Sequence, residues 1–227
     1  MVKSYGLGFR FSRNIINMNS LVHVNSQIKW SDNDKSENLE VEADGLIVNC
    51  KANTIYKDQS KSFVASAIRT NKPIPQKCES FYFEITIKDK GKNGIIGIGF
   101  CTETVKSFDR MPGFEKNSWG YRSDNGNVFS CSGSGEQYGP SFTVGDIIGC
   151  CLNFRNNTAF FTKNGVHLGI AFRELKIEEE LYPCIGLKSE EGSLEANFRQ
   201  HKFKYEAMND DDINDIFLRE TVNTISY

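Results

Sequence analysis

Two adjacent cysteines are the most reactive side chains of this sequence. Cys150 and Cys151 lie inside the apolar run IIGCCLNF, and a cysteine thiolate can act as a nucleophile or as a metal ligand. The histidines that could assist them are scattered along the chain, at His23, His167 and His201. A thiol enzyme or a metal site would therefore have to be assembled in the fold from distant segments.

The residues around the cysteines predict strands and turns rather than a reactive site. In DIIGCCLNF the apolar residues lie on both faces of an extended chain, which is typical of a central strand. The residues RNN predict a turn, the segment TAFFT predicts a returning strand, and KNG predicts a second turn. Successive side chains of a strand point to opposite faces. Cys150 and Cys151 would then point apart, and we expect both to be structural.

Known catalytic and metal-binding motifs are missing from the sequence. It has no CxxC pair, no nucleophile elbow and no phosphate-binding glycine loop. The acidic run NDDD at residues 209–212 lacks the alternating spacing of a calcium loop, so a solvated helix start is the favoured interpretation. We therefore expect a protein that is not an enzyme and that has no catalytic residue, no cofactor and no metal ion.

Composition favours a protein partner over a nucleic acid or a membrane. The chain has 227 residues with 27 basic and 29 acidic side chains, and no block of lysine or arginine dominates any segment. No apolar run approaches the roughly 20 residues that span a bilayer, and the N-terminus has no signal-peptide core. Seven cysteines without CxxC spacing fit a reducing compartment. We expect the cytoplasm, with the nucleus as a second location.

Short strands separated by Gly, Asn and Asp turns predict an all-β fold. The segment FYFEITIKD, starting at Phe81, alternates apolar with polar residues and predicts a half-buried strand. LEVEADGLIVNC predicts a hairpin about residues 44–45, KNGIIGIGF is an apolar strand that starts with the Asn-Gly at residues 93–94, and YRSDNGNVFS predicts a turn near residues 125–126. We therefore expect an antiparallel β-sandwich.

The end of the chain has a helical pattern instead. NDDDINDIFLRE offers acidic residues in a first turn and then places Ile213, Ile216 and Phe217 on one helical face. We expect a short amphipathic C-terminal helix that docks on the sandwich or on a partner. The chain then divides into an N-terminal arm at residues 1–26, a β-sandwich domain at 27–205 and a tail at 206–227.

An ordered series of motifs resembles the SPRY domain. GIIGIGF is followed by SWGY, YGPSF, GDIIGC, FTKNG, LYP and LEANF in that order, and the ordered set is far more specific than any single motif. In particular, the chain resembles the SPRY domain of Ran-binding-protein-M-type scaffolds over about residues 27–205. The resemblance implies a bent sandwich of two antiparallel sheets that binds a protein or a peptide and performs no chemistry.

The resemblance implies an adaptor or scaffold and leaves two finer roles open. Scaffolds of the Ran-binding-protein-M type belong to the CTLH (GID) ubiquitin ligase, so the chain could be a substrate-recruiting or scaffold component with ubiquitin ligase subunits as partners. It could instead be a freestanding competitor of larger SPRY scaffolds, because residues 199–227 contain no LisH or CTLH segment.

The segment KSFDRMPGFEKN, at residues 106–117, is a candidate binding loop. It contains Phe108, Met111 and Phe114 among charged residues. Such a loop either buries its apolar side chains against the domain or exposes them to a partner. The neighbouring Trp119, in SWGY, is expected in the core.

The resemblance favours presentation to a partner. In peptide-binding SPRY domains a shallow pocket forms from loops at one end of the sandwich, which correspond here to residues 50–57, 90–94, 106–114 and 188–191. Where relatives that grip Asn-containing peptides carry Val-Trp-Gly, this chain has Lys-Ser-Glu, so we do not expect their ligand specificity. The predicted partner-binding residues are Ala52, Tyr56, Asn93, Phe108, Arg110, Met111, Lys188, Ser189 and Glu190.

Overall fold

The computed structural model describes residues 28–51, 65–75 and 78–209, with Asn93 described by its backbone alone. The arm at residues 1–26 and the predicted helix lie outside the described residues. Within these ranges the chain forms fourteen strands: β1 (Trp30–Lys35), β2 (Leu39–Val41), β3 (Ile47–Cys50), β4 (Ser66–Thr70), β5 (Ser80–Asp89), β6 (Lys92–Thr102), β7 (Ser118–Arg122), β8 (Asn127–Ser130), β9 (Gly135–Gln137), β10 (Ile147–Asn153), β11 (Thr158–Lys163), β12 (Val166–Phe172), β13 (Leu181–Glu190) and β14 (Ser193–Asn197).

The strands form two seven-stranded sheets, which confirms the all-β sandwich. Sheet A has the order β1-β4-β13-β6-β7-β8-β9, and sheet B has the order β12-β11-β10-β5-β14-β3-β2. Every strand pair is antiparallel. The 3-10 turn Glu206–Met208 is the only helical element in the described part of the chain.

The predicted hairpins are present, with turns at the expected residues. β2 pairs with β3 around residues 44–45, β7 pairs with β8 around residues 125–126, and β10 pairs with β11. Gly45 and Gly126 have φ angles of 76° and 70°, which glycine adopts without steric cost. The Asn-Gly at residues 93–94 lies near the start of β6, so this part of the loop expected at residues 90–94 is a strand.

The core between the sheets consists mainly of aromatic and branched aliphatic side chains. Alternation along β6 places Ile96, Ile98 and Phe100 on the inner face, where all three are completely buried. Trp119 of β7 is 8% exposed and stacks on Phe100 with the ring centroids 5.2 Å apart. The prediction that Trp119 belongs to the core is therefore confirmed. Burial of each such side chain stabilises the fold by about 1.5–3 kcal/mol.

The adjacent cysteines point to opposite faces of β10, as the strand prediction requires. Both are completely buried. Cys150 packs in the core between the sheets, whereas Cys151 packs in a second cluster on the outer face of sheet B. Burial raises the pKa of both thiols. Because the thiolate is the nucleophilic form, burial suppresses the reactivity of both cysteines.

We expect Cys151→Ser to lower the free energy of unfolding by about 1–3 kcal/mol, because it buries a hydroxyl among Tyr82, Phe160 and Met208. Urea denaturation measures the loss. Cys131→Ser is the matched control, since Cys131 is partly exposed, and it should stay within about 0.5 kcal/mol of wild type. Equal stability of the two variants would contradict the placement of Cys151 in an apolar cluster.

The last described residues cover the outer face of sheet B. Phe203 packs edge-on against Tyr82 with the ring centroids 4.8 Å apart. Beneath this segment, Glu84 is 4% exposed and accepts hydrogen bonds from the backbone N–H groups of Lys204 at 2.9 Å and Tyr205 at 3.0 Å. The prediction of a half-buried β5 is therefore wrong at Tyr82 and Glu84, because the covering segment also buries these polar positions.

Candidate functional site

A long loop after β6 lies against the outer face of sheet A and carries three of the predicted binding residues. We call it the β6–β7 loop, residues 103–117. The strands beneath it present glycine: a Cβ at Gly97 would lie 3.0 Å from Met111 Cε, and a Cβ at Gly186 would lie 2.7 Å from Pro112 Cδ. Because neither position has a side chain, the loop packs directly on the backbone of β6 and β13.

Apolar residues of this loop are buried to different extents. Met111 is 5% exposed and lies between the loop and the sheet. Phe108 is half-buried, and its carbonyl oxygen accepts the N–H of Ala67 in β4 at 2.8 Å. Phe114 is also half-buried and stacks on Phe129 with the ring centroids 6.0 Å apart. The loop therefore combines the two predicted arrangements of its apolar side chains. Met111 is buried against the sheet, whereas Phe108 and Phe114 reach the surface.

The space under the loop is too small for a partner's side chain. A cavity of about 20 Å³, lined in part by Cys101, Phe108 and Cys184, has room for about one water molecule. On the outside of the loop, the side chain of Arg110 is 57% exposed and its Nε lies 3.0 Å from Oε1 of Glu115. A partner would therefore contact the outer surface of the loop, at Phe108 and Arg110.

The second group of predicted residues lies in the last three positions of β13, instead of in a loop, and borders the turn to β14. We call residues 188–192 the β13–β14 turn. Lys188 and Glu190 are half-buried and lie opposite Ile95 and Lys92 of β6. Ser189 between them is completely buried, and its hydroxyl has no hydrogen-bond partner among the described residues. Lys188 and Glu190 can therefore offer side-chain surface to a partner, whereas Ser189 contributes to the packing of the turn.

The two groups are connected through β4 and β13 of sheet A. Ala67, which binds the loop at Phe108, lies opposite Gly186, two residues before Lys188. Asn93 belongs to the start of β6, beside the same turn. Two further predicted residues, Ala52 and Tyr56, lie outside the described residues, so their roles stay predictions.

Arg69 of β4 is a residue that sequence reasoning missed. Its side chain is 4% exposed, and its guanidinium carbon lies 5.8 Å from the ring centroid of Phe108. The strand sequence SAIRT contains no known motif. The one available signal was the charge itself, because an arginine in a buried strand needs a specific set of partners.

Metal-binding clusters and membrane-spanning helices are absent from the described residues. In these ranges no group of three or more His, Cys, Asp or Glu side chains could hold a metal ion, and no helix there is long and apolar enough to cross a bilayer. All seven cysteines are free thiols. The β6–β7 loop and the β13–β14 turn stay the candidate site.

Comparisons with known proteins identify relatives over most of the sandwich. The family model of the SPRY domain matches residues 80–201. The Ran-binding proteins 9/10 homolog of Drosophila melanogaster is 46% identical over 181 residues, which are 80% of this chain and 18% of that protein. Ran-binding protein 9 of Homo sapiens is 43% identical over 178 residues, which are 78% of this chain and 23% of that protein. The chain thus spans less than a quarter of the length of these two relatives.

Solved structures share the fold. The SPRY domain of human HERC1 matches with a TM-score of 0.60 at 20% identity, covering 76% of this chain and 99% of that one. Another human SPRY domain matches with a TM-score of 0.59 at 23% identity, covering 73% of this chain and 98% of that one. Because the fold agrees and the family model covers more than half of the residues, this chain belongs to the SPRY domain family.

Proposed function

We propose that this chain is a non-enzymatic interaction module, an adaptor or scaffold that binds a protein or a peptide through the β6–β7 loop and the β13–β14 turn. The observation that carries the proposal is the way the loop packs on sheet A. Gly97 and Gly186 allow it to lie directly on the rigid sheet, while half-buried Phe108 and exposed Arg110 reach the surface. A loop held by a rigid scaffold presents contact area at a low cost in conformational entropy.

The proposed site divides its work among a few side chains. Phe108 supplies apolar contact area, whereas Arg110, Lys188 and Glu190 orient the partner and supply charge at the rim. Met111 is buried, so it supports the loop from beneath instead of touching the partner. A shallow site of this type binds with micromolar affinity, about -8 kcal/mol.

Phe108→Ala tests the proposed site. Peptides that bind the purified chain are selected from a displayed random library, and the tightest one serves as the probe in calorimetry. We expect the variant to bind this peptide about tenfold more weakly, because truncating an anchor costs about 1–2 kcal/mol. Val166→Ala is the matched control, since Val166 is 63% exposed on β12 of the other sheet. If both variants have normal melting temperatures and bind the peptide equally well, the proposed binding site is contradicted.

A role in a ubiquitin ligase is the second candidate. Its support is the sequence similarity to Ran-binding protein 9, to a Ran-binding proteins 9/10 homolog and to a Ran-binding protein M homolog, of whose lengths the chain spans 18% to 31%. Co-purification of the tagged chain with CTLH ligase subunits tests this role, and Phe108→Ala protein serves as the comparison. A freestanding competitor would instead lower the recovery of partners on larger SPRY scaffolds. For either role we propose that the protein is located in the cytoplasm, with the nucleus as a second location. The seven free thiols support this proposal, because free cysteines persist in a reducing compartment.

A further inference from the structure

Arg69 is a buried charged residue at the base of the β6–β7 loop. It belongs to β4, in the interior of sheet A between β1 and β13, and is 3% exposed. Burial of a guanidinium is costly unless the group is paired and hydrogen-bonded. The contacts that compensate for the burial therefore show which parts of the fold this residue holds together.

One set of contacts joins Arg69 to the start of the loop. Its Nη1 donates to the carbonyl oxygen of Thr102, the last residue of β6, at 3.2 Å, and to the carbonyl oxygen of Val105, within the loop, at 3.4 Å. Its guanidinium also lies over the ring of Phe108, 5.8 Å from the centroid. Arg69 thus contacts the chain where it leaves the sheet and again at a proposed anchor.

A second set of contacts fixes the guanidinium to the sheet. Nη2 lies 3.2 Å from Oδ1 of Asp34 in β1, and the group lies 4.8 Å from the ring centroid of Tyr182 in β13. The Nε has no hydrogen-bond partner among the described residues. An orphaned donor is costly, so the two rings and the loop carbonyls have to offset it. The guanidinium is therefore held by both strands that flank β4.

We propose that Arg69 is a positioning residue for partner binding, because it clamps the start of the β6–β7 loop and so fixes the orientation in which Phe108 is presented. This inference rests on the proposed function of Phe108. Lysine cannot replace Arg69, because an ammonium has no planar face for the two rings. It also lacks the fork of donors that reaches Asp34 and the loop carbonyls together.

A backbone hydrogen bond reports directly on the position of the loop. The N–H of Ala67 donates to the carbonyl oxygen of Phe108 at 2.8 Å. Hydrogen exchange of the Ala67 amide therefore becomes faster whenever the loop leaves the sheet. Ile98 and Ile185 lie opposite each other in the middle of sheet A. Their amides exchange only when the sheet itself opens, so they serve as internal controls.

The test compares wild type, Arg69→Lys and Asp34→Asn by amide exchange and by affinity for the library-selected peptide. In Arg69→Lys we expect exchange at Ala67 to become about tenfold faster, with Ile98 and Ile185 unchanged, and the peptide to bind about tenfold more weakly. Asp34 is 40% exposed, so its variant keeps the fold even if Arg69→Lys does not. There we expect exchange at Ala67 to become about threefold faster.

Three results would overturn the proposal. The first is a variant in which amide exchange at Ala67 is unchanged, and the second is one in which exchange becomes equally faster at Ala67, Ile98 and Ile185. The third is a variant with faster exchange at Ala67 alone that still binds the peptide with wild-type affinity. If Arg69→Lys does not fold, the same measurements on Asp34→Asn test the proposal. A failure of the proposed function is distinguishable, because Phe108→Ala would then bind the peptide normally, while exchange at Ala67 would still report whether Arg69 holds the loop.

Discussion

Replacing Gly149 with alanine is expected to lower the free energy of unfolding by about 3–5 kcal/mol. Gly149 in β10 lies opposite Glu84 of β5 and Thr162 of β11. The hydroxyl of Tyr82 bridges these two side chains, donating to Glu84 at 2.9 Å and accepting from Thr162 at 2.8 Å. A Cβ on residue 149 would lie 1.9 Å from that hydroxyl oxygen. The alanine would therefore displace Tyr82 and break both buried hydrogen bonds.

Urea denaturation measures this loss against a matched glycine. A Cβ at Gly133, in an exposed turn, would lie 3.3 Å from the ring edge of Phe114, so Gly133→Ala should stay within about 0.5 kcal/mol of wild type. The double variant Tyr82→Leu/Gly149→Ala should lose less stability than the two single variants together, because leucine removes the clashing atoms. Equal stability of Gly149→Ala and Gly133→Ala would contradict the packing of Tyr82 over Gly149.

Local patterns in the sequence predicted the hairpin strands β2, β3, β7, β8, β10 and β11, together with β5 and β6, but they did not predict β1, β4 or β9. The opposite directions of Cys150 and Cys151 follow from alternation along a single strand, and the hairpin turns follow from glycines that adopt positive φ. The covering of the outer sheet faces could not be predicted in this way. Glu84 resembled a solvated position of FYFEITIKD, and the backbone groups that bury it, on Lys204 and Tyr205, lie 120 and 121 residues later.

Composition alone could not distinguish buried from exposed residues in the candidate site. Met111 and Phe108 have the same apolar character, and what separates them is the position of Gly97 and Gly186 on two strands, of which β13 is far away in sequence. The outward-facing glycines of GIIGIGF were a usable signal, because a glycine inside a strand often marks the close approach of another segment. For Arg69 no such pattern exists, since its partners come from separate strands and the loop.

Glu84→Gln is expected to lower the free energy of unfolding by about 2–4 kcal/mol and to release residues 203–209 from the outer face of sheet B. Oε1 accepts hydrogen bonds from the Tyr82 hydroxyl and the Tyr205 N–H, and Oε2 accepts one from the Lys204 N–H. Glutamine has the same shape but only one acceptor oxygen. In either amide orientation, at least one of the three donors then faces an NH₂ group.

Hydrogen exchange at the Lys204 and Tyr205 amides separates this local release from global unfolding, which urea denaturation measures. Glu195→Gln is the matched control. Glu195 lies on the neighbouring strand β14, and its carboxylate pairs with Lys88 at 3.0 Å in an exposed ion pair, so its loss should cost at most about 1 kcal/mol. If both variants lose equally little stability and both amides keep their slow exchange, Glu84 does not anchor the C-terminal segment. Faster exchange at Lys204 and Tyr205 in Glu84→Gln alone would show that one buried carboxylate holds this segment on the sandwich.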